Sequence, residues 1–511
     1  MKILMVYPTY PNTFWSFRHA LKLIHKKASF PPLGLLTVAA MLPALWEKKL
    51  VDMNVRKLRD EDIKWADYVF ISAMVVQRDS ANEVISRCKK LGVKTVAGGP
   101  LFTIGYDEFE DVDHLVLDEA EVTLSPFLKD LEAGRAQRIY TSKERPEIEN
   151  TPIPLWSLIN PNNYSSMNIQ YSRGCPFNCE FCDIVMLNGR VPRTKSHNKL
   201  ILEMEALYRR GWRGGVFIVD DNFIGNKNKL KADVLPALKT WMEDKKYPFV
   251  FLTEASINLA DDETLMKMMT EAGFNTVFVG IETPNDDSLQ ECNKLPNKGK
   301  DLKELVKTIQ NHGLEVQGGF IVGFDSDPIS IFKNQINFIQ KTGIVTAMVG
   351  LLTAPRGTRL YQRLMNENRI IKGSSGNNTD CSLNFIPKMK YETLVEGYHH
   401  ILKTIYAPRH FYDRIRTFLK EYKPQPRKRR SIHVRFYHIR ALVGSVWTLG
   451  IKESGRRFYW KLMASTLFRH PGSLPLVVTL SIYGYHFRRV VKEYTSLPII
   501  PPGVTNAGQA S

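Results

Sequence analysis

The sequence predicts an α/β protein made of two successive runs of parallel strands alternating with helices, closed by a mainly helical and basic C-terminal region. Length is the first reason, because 511 residues exceed what one hydrophobic core organises and imply more than one domain. The second is rhythm: short apolar runs recur along the first 370 residues with helix-period stretches between them. The third is a change of character beyond that point, where aromatic and basic residues intermix. Apolar residues at 43 % and charged residues at 24 % match ordinary globular chains, which excludes wholesale disorder and a polytopic membrane protein.

The first run has strands at 2–8 (KILMVYP), 68–74 (YVFISAM), 93–99 (VKTVAGG) and 114–117 (HLVL). Between them lie amphipathic stretches such as 78–91, with Val84, Ile85, Cys88 and Leu91 on one face. This is the pattern of a doubly wound parallel sheet over residues 1–140. Pro146, Pro152, Pro154 and Pro161 mark 141–165 as an extended linker. The second run, 166–370, has strands at 167–172, 215–220, 249–255, 276–282, 316–324 and 346–352. Helix-period stretches at about 197–211, 227–245, 261–272, 301–312 and 328–341 separate them, so the unit reads as a partial (β/α)₈ barrel. Active sites of such barrels sit at the C-terminal ends of the strands. Residues 371–511 form the third region, with KPQPRKRR at 423–430 as an exposed joint.

The net charge of +18 is unevenly spread: residues 401–500 carry 20 Lys and Arg against 4 Asp and Glu, so the motif-bearing part is close to neutral. Absence of a groove-reading or RNA-binding motif argues against a nucleic-acid partner. Basic stretches with interleaved aromatics suit the plane of an anionic leaflet, or a lid with a solvated basic face. The apolar runs at 441–449 and 473–480 are too short for a spanning helix, which needs about 20 residues. The N-terminus, MKILMVYPTYP, reads as a first strand and not as an export signal. Six cysteines, three of them within eight positions, do not form a secreted disulfide framework, so a reducing cytoplasm is expected.

Those three, Cys175, Cys179 and Cys182 in YSRGCPFNCEFCDIV, follow the first strand of the second run with the spacing Cys-x₃-Cys-x₂-Cys. Three thiolates can hold three irons of a [4Fe–4S] cluster and leave the fourth open to a small molecule. A structural zinc site is the competing reading, but it wants four ligands, and Cys292, Cys381 or a histidine would have to complete it from far away.

The motif CPFNCEFC resembles the signature of radical S-adenosylmethionine (SAM) enzymes, in which SAM chelates the open iron. The resemblance implies that VDDNFIGN, with Asp220, Asp221 and Asn222, receives the methionyl amine, although a Gly-Gly-Glu version of that loop is absent. It further implies a ribose contact at Glu282 of GIET and a SAM-binding fifth strand with Gly319, Ile321 and Gly323. Upstream, Ser72 and Met74 of ISAM and Gly98, Gly99 and Pro100 of VAGGP resemble two of three marks of Rossmann-like cobalamin-binding domains. The third mark, Asp-x-His-x-x-Gly, is missing: residues 7–14 read YPTYPNTF and offer cobalt no histidine, and His19 and His25 nearby are isolated. Glu119, in the acidic DEAE loop at 118–121, is a further candidate for cobalamin contact or a solvated helix start.

The whole order is similar to a subfamily of cobalamin-dependent radical SAM enzymes that includes the hopanoid C-methylases and bacteriochlorophyllide side-chain methylases. PPLGLLTVAAMLP, VDDNFIGNK, TEASINLADD and GFIVGFD carry the likeness. It implies a Rossmann-like cobalamin domain, a partial (β/α)₆ radical SAM barrel and a helical C-terminal domain. The cofactors implied are a [4Fe–4S] cluster, SAM and cobalamin. The activity implied is C-methylation of an unactivated carbon on a lipid or tetrapyrrole-like substrate, with a flavodoxin- or ferredoxin-type electron donor and possible peripheral membrane contact. A cobalamin-dependent radical cyclase or rearrangement catalyst is the alternative enzyme, and a cobalamin sensor or iron–sulfur carrier the alternative outside enzymes.

Overall fold

The computed structural model describes residues 1–377, 379–424 and 436–496. The chain packs into two compact units: the first comprises Met1–Asn12, Lys26–Pro176 and Asp183–Val250, the second Thr13–His25, Phe177–Cys182 and Phe251 onward. The first unit thus joins the N-terminal sheet to the opening strands of the second run.

The N-terminal sheet contains β1 (Lys2–Tyr7), β2 (Glu47–Asp52), β3 (Tyr68–Ser72), β4 (Lys94–Gly98), β5 (His114–Val116) and β6 (Ile139–Tyr140). They are parallel, in the order β2-β1-β3-β4-β5-β6. Side chains alternate across a strand, and here both faces are covered. Leu4 and Val6 of β1 pack with Val69, Ile71 and Ala97 against Ala81, Val84, Ile85 and Cys88 of the helix Arg78–Lys90. Ile3 and Met5 point the other way, into a core with Phe70, Val96, Leu35, Ala39 and Phe127. Strand order reverses between β1 and β3, the switch point at which ligands of such sheets bind.

Two strands of this sheet were not expected from the sequence. β2 (EKKLVD) is charged along an edge, where only Val51 and Asp52 are buried, and β6 is two residues long. The extended linker packs along its length, with Ile148, Trp156 and Tyr164 burying their side chains.

Continuing in the first unit, β7 (Ser166–Ile169) precedes a short antiparallel ribbon of β8 (Ser172–Arg173) and β9 (Arg193–Thr194), and then comes β10 (Gly215–Ile218). β7 and β10 pair in parallel, Ile169 opposite Ile218. Ser196 caps the helix His197–Arg209, its hydroxyl accepting from the Lys199 N–H at 3.1 Å. The single helix expected over 227–245 is broken into Lys227–Lys229, a π turn Leu230–Val234 and Leu235–Asp244. Pro236 has no N–H to bond the carbonyl four residues back, which accounts for the slip.

In the second unit β11 (Val250–Glu254, from Phe251 on), β12 (Phe274–Glu282), β13 (Glu315–Val322) and β14 (Ala347–Leu351) pair successively in parallel. The intervening helices are Glu263–Ala272, Leu302–Asn311 and Ile331–Thr342. Asp262 and Asp301 cap the first two through backbone N–H groups. The helices Tyr391–Tyr406, Pro408–Glu421, Phe436–Ser445, Arg456–Arg469 and Leu474–Tyr494 follow in the same unit. Arg414, fully buried, donates to the carbonyls of Ile405 and Val345 and to Gln340 Oε1, tying helix Pro408–Glu421 to the chain entering β14. Most of the expected joint at 423–430 lies outside the described residues. Among the described residues no helix is long and apolar enough to cross a membrane.

Candidate functional site

The C-terminal ends of β7 and β10 meet around the start of the cysteine loop. Two consecutive carboxylates after β10 brace it. Asp220 Oδ1 accepts the Tyr171 N–H at 2.8 Å and Oδ2 the Ser172 hydroxyl at 2.7 Å. Burial pushes its carboxyl up to about 7 in spite of these bonds. Asp221 Oδ2 accepts the Gly174 N–H at 2.7 Å and the Asn188 side-chain amide at 2.9 Å. Cys175 donates its backbone N–H to the Gly189 carbonyl at 3.2 Å. Asp220 and Asp221 thus spend their oxygens on the residues that position Cys175, and Asn222 is buried beside them in sequence.

Arg173, two residues before Cys175, donates to Glu119 at 2.7 Å and to Glu121 at 2.8 Å. Arg193 on β9 donates to Glu119 at 2.7 and 2.9 Å. Burial works against the charge of Arg173, but Glu121 and Glu119 more than offset it and hold its guanidinium above the ordinary value. Glu119 is therefore no solvated helix start: it is buried, and both its oxygens are taken by arginines of the ribbon. The sequence reading missed Arg173 and Arg193, although Arg173 inside SRGC adjoined the flagged cysteine.

At the β1/β3 switch point Ser72 ends β3, Met74 is half-exposed, and Gly98 and Gly99 lead into the helix Pro100–Gly105 with Pro100 in its first turn. Gly99 takes φ +88°, ψ 180°, a conformation reserved for glycine, and a Cβ there would lie 2.6 Å from Ser72 Oγ. A Cβ on Gly98 would lie 2.6 Å from the Val116 carbonyl. The loop without histidine brings Tyr10 here: its hydroxyl bonds Tyr7 and reaches Met74 Sδ at 3.9 Å. Backbone left bare by glycines, beside a half-exposed thioether at a switch point, suits a flat ligand laid over the sheet edge.

In the second unit Cys179 is buried and Cys182 half-buried. The Glu180 N–H donates to the Cys292 carbonyl at 2.9 Å, and its carboxylate takes Arg363 at 2.8 and 3.1 Å. Asn293 donates to the Asn178 carbonyl at 2.8 Å. Lys294, also missed from sequence, donates to Glu282 at 2.8 Å. Burial works to lower Lys294, but Glu282 and the thiols of Cys179 and Cys182 overrule it and hold the ammonium above its ordinary value. Glu282 ends β12 in a left-handed conformation, φ +63°, at a register break after Gly280.

Gly319 on β13 packs under Phe278, and the Ile321 carbonyl accepts from Gln335 at 2.7 Å. Gly323, with φ +105°, donates its N–H to Asp327 at 2.8 Å. His19 belongs to this unit, where it pairs with Glu493 at 3.2 Å and burial lowers its pKa. Among the described residues no three His, Cys, Asp or Glu side chains gather about a point that could hold a metal ion.

Residues 23–128 match the B12 binding domain, 169–339 the radical SAM superfamily, and 358–497 a domain of unknown function. The first two matches imply a [4Fe–4S] cluster, SAM and cobalamin as the cofactor set. An uncharacterised methyltransferase of Synechocystis sp. is 41 % identical, the alignment covering 96 % of this chain and 93 % of that one. Hopanoid C-2 methylase of Rhodopseudomonas palustris is 31 % identical over 96 % and 94 %. The cobalamin-dependent SAM radical enzyme OxsB with aqua-cobalamin bound shares the fold, with a TM-score of 0.62 at 14 % identity over 96 % of this chain and 80 % of that one. Full-length likeness of this order, with both family matches in the order of the two α/β runs, makes the chain a member of the cobalamin-dependent radical SAM methyltransferase family.

Proposed function

We propose that this enzyme methylates an unactivated carbon of a polycyclic, hopanoid-like lipid. The observation that carries the reading is the 31 % identity with hopanoid C-2 methylase along 96 % of the chain, C-terminal region included. In this reading Cys175, Cys179 and Cys182 hold the cluster, and Lys294 supports the charge of the last two. The residues assigned to SAM are Asn222 in the first unit and Glu282 with the strand carrying Gly319, Ile321 and Gly323 in the second, while Asp220 and Asp221 act through the loop they brace. Ser72, Met74, Gly98, Gly99 and Pro100 frame the cobalamin edge, with Tyr10 in place of a loop histidine and Glu119 as a brace. When bound, cobalamin supplies the methyl group, and the cluster with SAM supplies the radical that opens the substrate carbon to it. The protein's part is to orient these groups and exclude water. The electron donor is of flavodoxin or ferredoxin type, and the enzyme works in the cytoplasm at the inner face of the membrane.

The test is to supply reconstituted, reduced enzyme with methyl-labelled SAM and a polycyclic-lipid extract. Label in the lipid, together with S-adenosylhomocysteine and 5′-deoxyadenosine, is the expected result. Label in a tetrapyrrole instead would retire the lipid substrate and leave methyl transfer standing. Altered lipid and 5′-deoxyadenosine without label would replace methyl transfer by a cyclisation or rearrangement.

A further inference from the structure

Apolar side chains at the surface normally occur singly, and a contiguous face of them marks a contact with something apolar. The helix Arg456–Arg469 carries such a face. Tyr459, Leu462, Met463 and Thr466 are buried on one side, while Trp460, Ala464, Leu467 and Phe468 are exposed on the other, Phe468 at 85 %. Their spacing, i, i+4, i+7 and i+8, is that of one helical stripe. The helix Phe436–Ser445 and the π turn Val446–Lys452 after it add Ile439, Val443 and Trp447, also spaced by four, with Trp447 exposed at 54 %. Trp460 belongs to both stripes, since its indole N–H donates to the Gly450 carbonyl at 2.9 Å and its ring lies on the bare Gly450 backbone.

Charge identifies the partner. Residues 439–469 hold six Lys and Arg against one Glu, and that Glu453 faces Arg489 at 3.5 Å. Lys452 lies over the Trp447 ring at 4.9 Å, and Arg457 over Phe458 at 4.6 Å. An exposed tryptophan with a cation beside it suits the headgroup level of a bilayer, where the ring is half wet and the cation meets lipid phosphate. A protein partner for so basic an apolar face would need a matching acidic rim, whereas an anionic leaflet offers negative charge everywhere.

We propose that this face, centred on Trp447, Trp460 and Phe468, docks the enzyme on anionic bilayer surfaces. Its purpose rests on the lipid-substrate reading above, since a polycyclic lipid leaves water for the membrane. The binding is measured independently of that reading. Flotation of the full chain with vesicles of equal parts phosphatidylcholine and phosphatidylglycerol should show binding that neutral phosphatidylcholine vesicles lack and that salt weakens.

Replacing Leu467 and Phe468 by Ser, or Lys452 and Lys461 by Glu, should each weaken binding by about tenfold or more while leaving the fold intact by circular dichroism. Equal binding to both vesicle types, or binding unmoved by either variant, overturns the proposal. So does a stable dimer that the Ser variant dissociates without any vesicle binding, which would assign the face to a second copy. Vesicle binding without label transfer to lipid would retain the docking surface and remove the substrate reading. Label transfer without vesicle binding would do the reverse.

Discussion

The carboxylate of Asp221 and the backbone of Gly174 meet at 2.7 Å, one residue before the first cysteine of the cluster motif. Gly174 is held at φ +98°, where a Cβ would lie 2.8 Å from the Val191 carbonyl, so the turn that aims Cys175 depends on that bond. Asp221→Ala should leave a buried N–H unsatisfied at about 1–3 kcal/mol. Iron and sulfide content after anaerobic reconstitution should fall, with the near-UV spectrum of the N-terminal sheet unchanged. Full cluster content in the variant would show that the loop holds its shape without the brace.

Arg173 supports the same loop from the other side. Arg173→Met leaves the buried Glu119 and the half-buried Glu121 with a cation fewer, and breaking a buried pair from one side costs about 3–5 kcal/mol. The melting temperature should drop sharply. Adding Glu121→Gln to Arg173→Met should recover part of the loss, because one stranded charge is then removed. If the two changes simply add, the pair is not coupled and the ion-pair account fails.

What the sequence disclosed and what it withheld divide along physical lines. Strands such as β1 and β13 were legible because a fully buried parallel strand is an apolar run whatever its neighbours do. β2 was not, since an edge strand with four charged side chains in EKKLVD looks like a surface loop. The three cysteines were legible because tight spacing is local. The resemblance singled out Asp220 and Asp221 for SAM, whereas their bonds to Tyr171, Ser172 and Gly174 join residues 47 to 49 apart in sequence and needed the fold. Lys294 and Arg193 carry no local pattern at all, and only packing brings them to Glu282 and Glu119.

Glu315 gives a pH dependence of stability with a defined sign. Fully buried at the start of β13, it is pushed from 4.5 up to about 7 by burial, which the 3.5 Å contact with Gln317 only partly opposes. Its folded form therefore keeps a proton that the unfolded chain releases. The stability it contributes is complete below its unfolded value and is lost as pH rises through about 7, at up to about 1.4 kcal/mol per pH unit. Glu315→Gln has no such proton to lose. The melting temperature of the variant relative to the parent should rise between these limits and level off above them, and a gap that is constant with pH would refute the assignment.

The last prediction concerns Gly99 and Ser72 at the switch point of the N-terminal sheet. Gly99→Ala meets two separate obstacles: a backbone conformation that only glycine occupies, and a contact of 2.6 Å between the new Cβ and Ser72 Oγ. The first costs about 1–3 kcal/mol wherever the side chain goes. The second disappears when Ser72 becomes Ala, because the offending atom is the hydroxyl oxygen. Gly99→Ala alone should therefore abolish the characteristic absorption of bound cobalamin while the sheet remains folded by circular dichroism, since the cost is confined to the sheet edge. Ser72→Ala/Gly99→Ala should regain cobalamin in part and never fully, the remaining deficit being the backbone strain together with the loss of the Ser72 hydroxyl. Full recovery would mean that only the clash mattered. Unimpaired cobalamin binding by Gly99→Ala would mean that the ligand does not use this edge, and the assignment of Ser72, Gly98 and Gly99 would have to be given up.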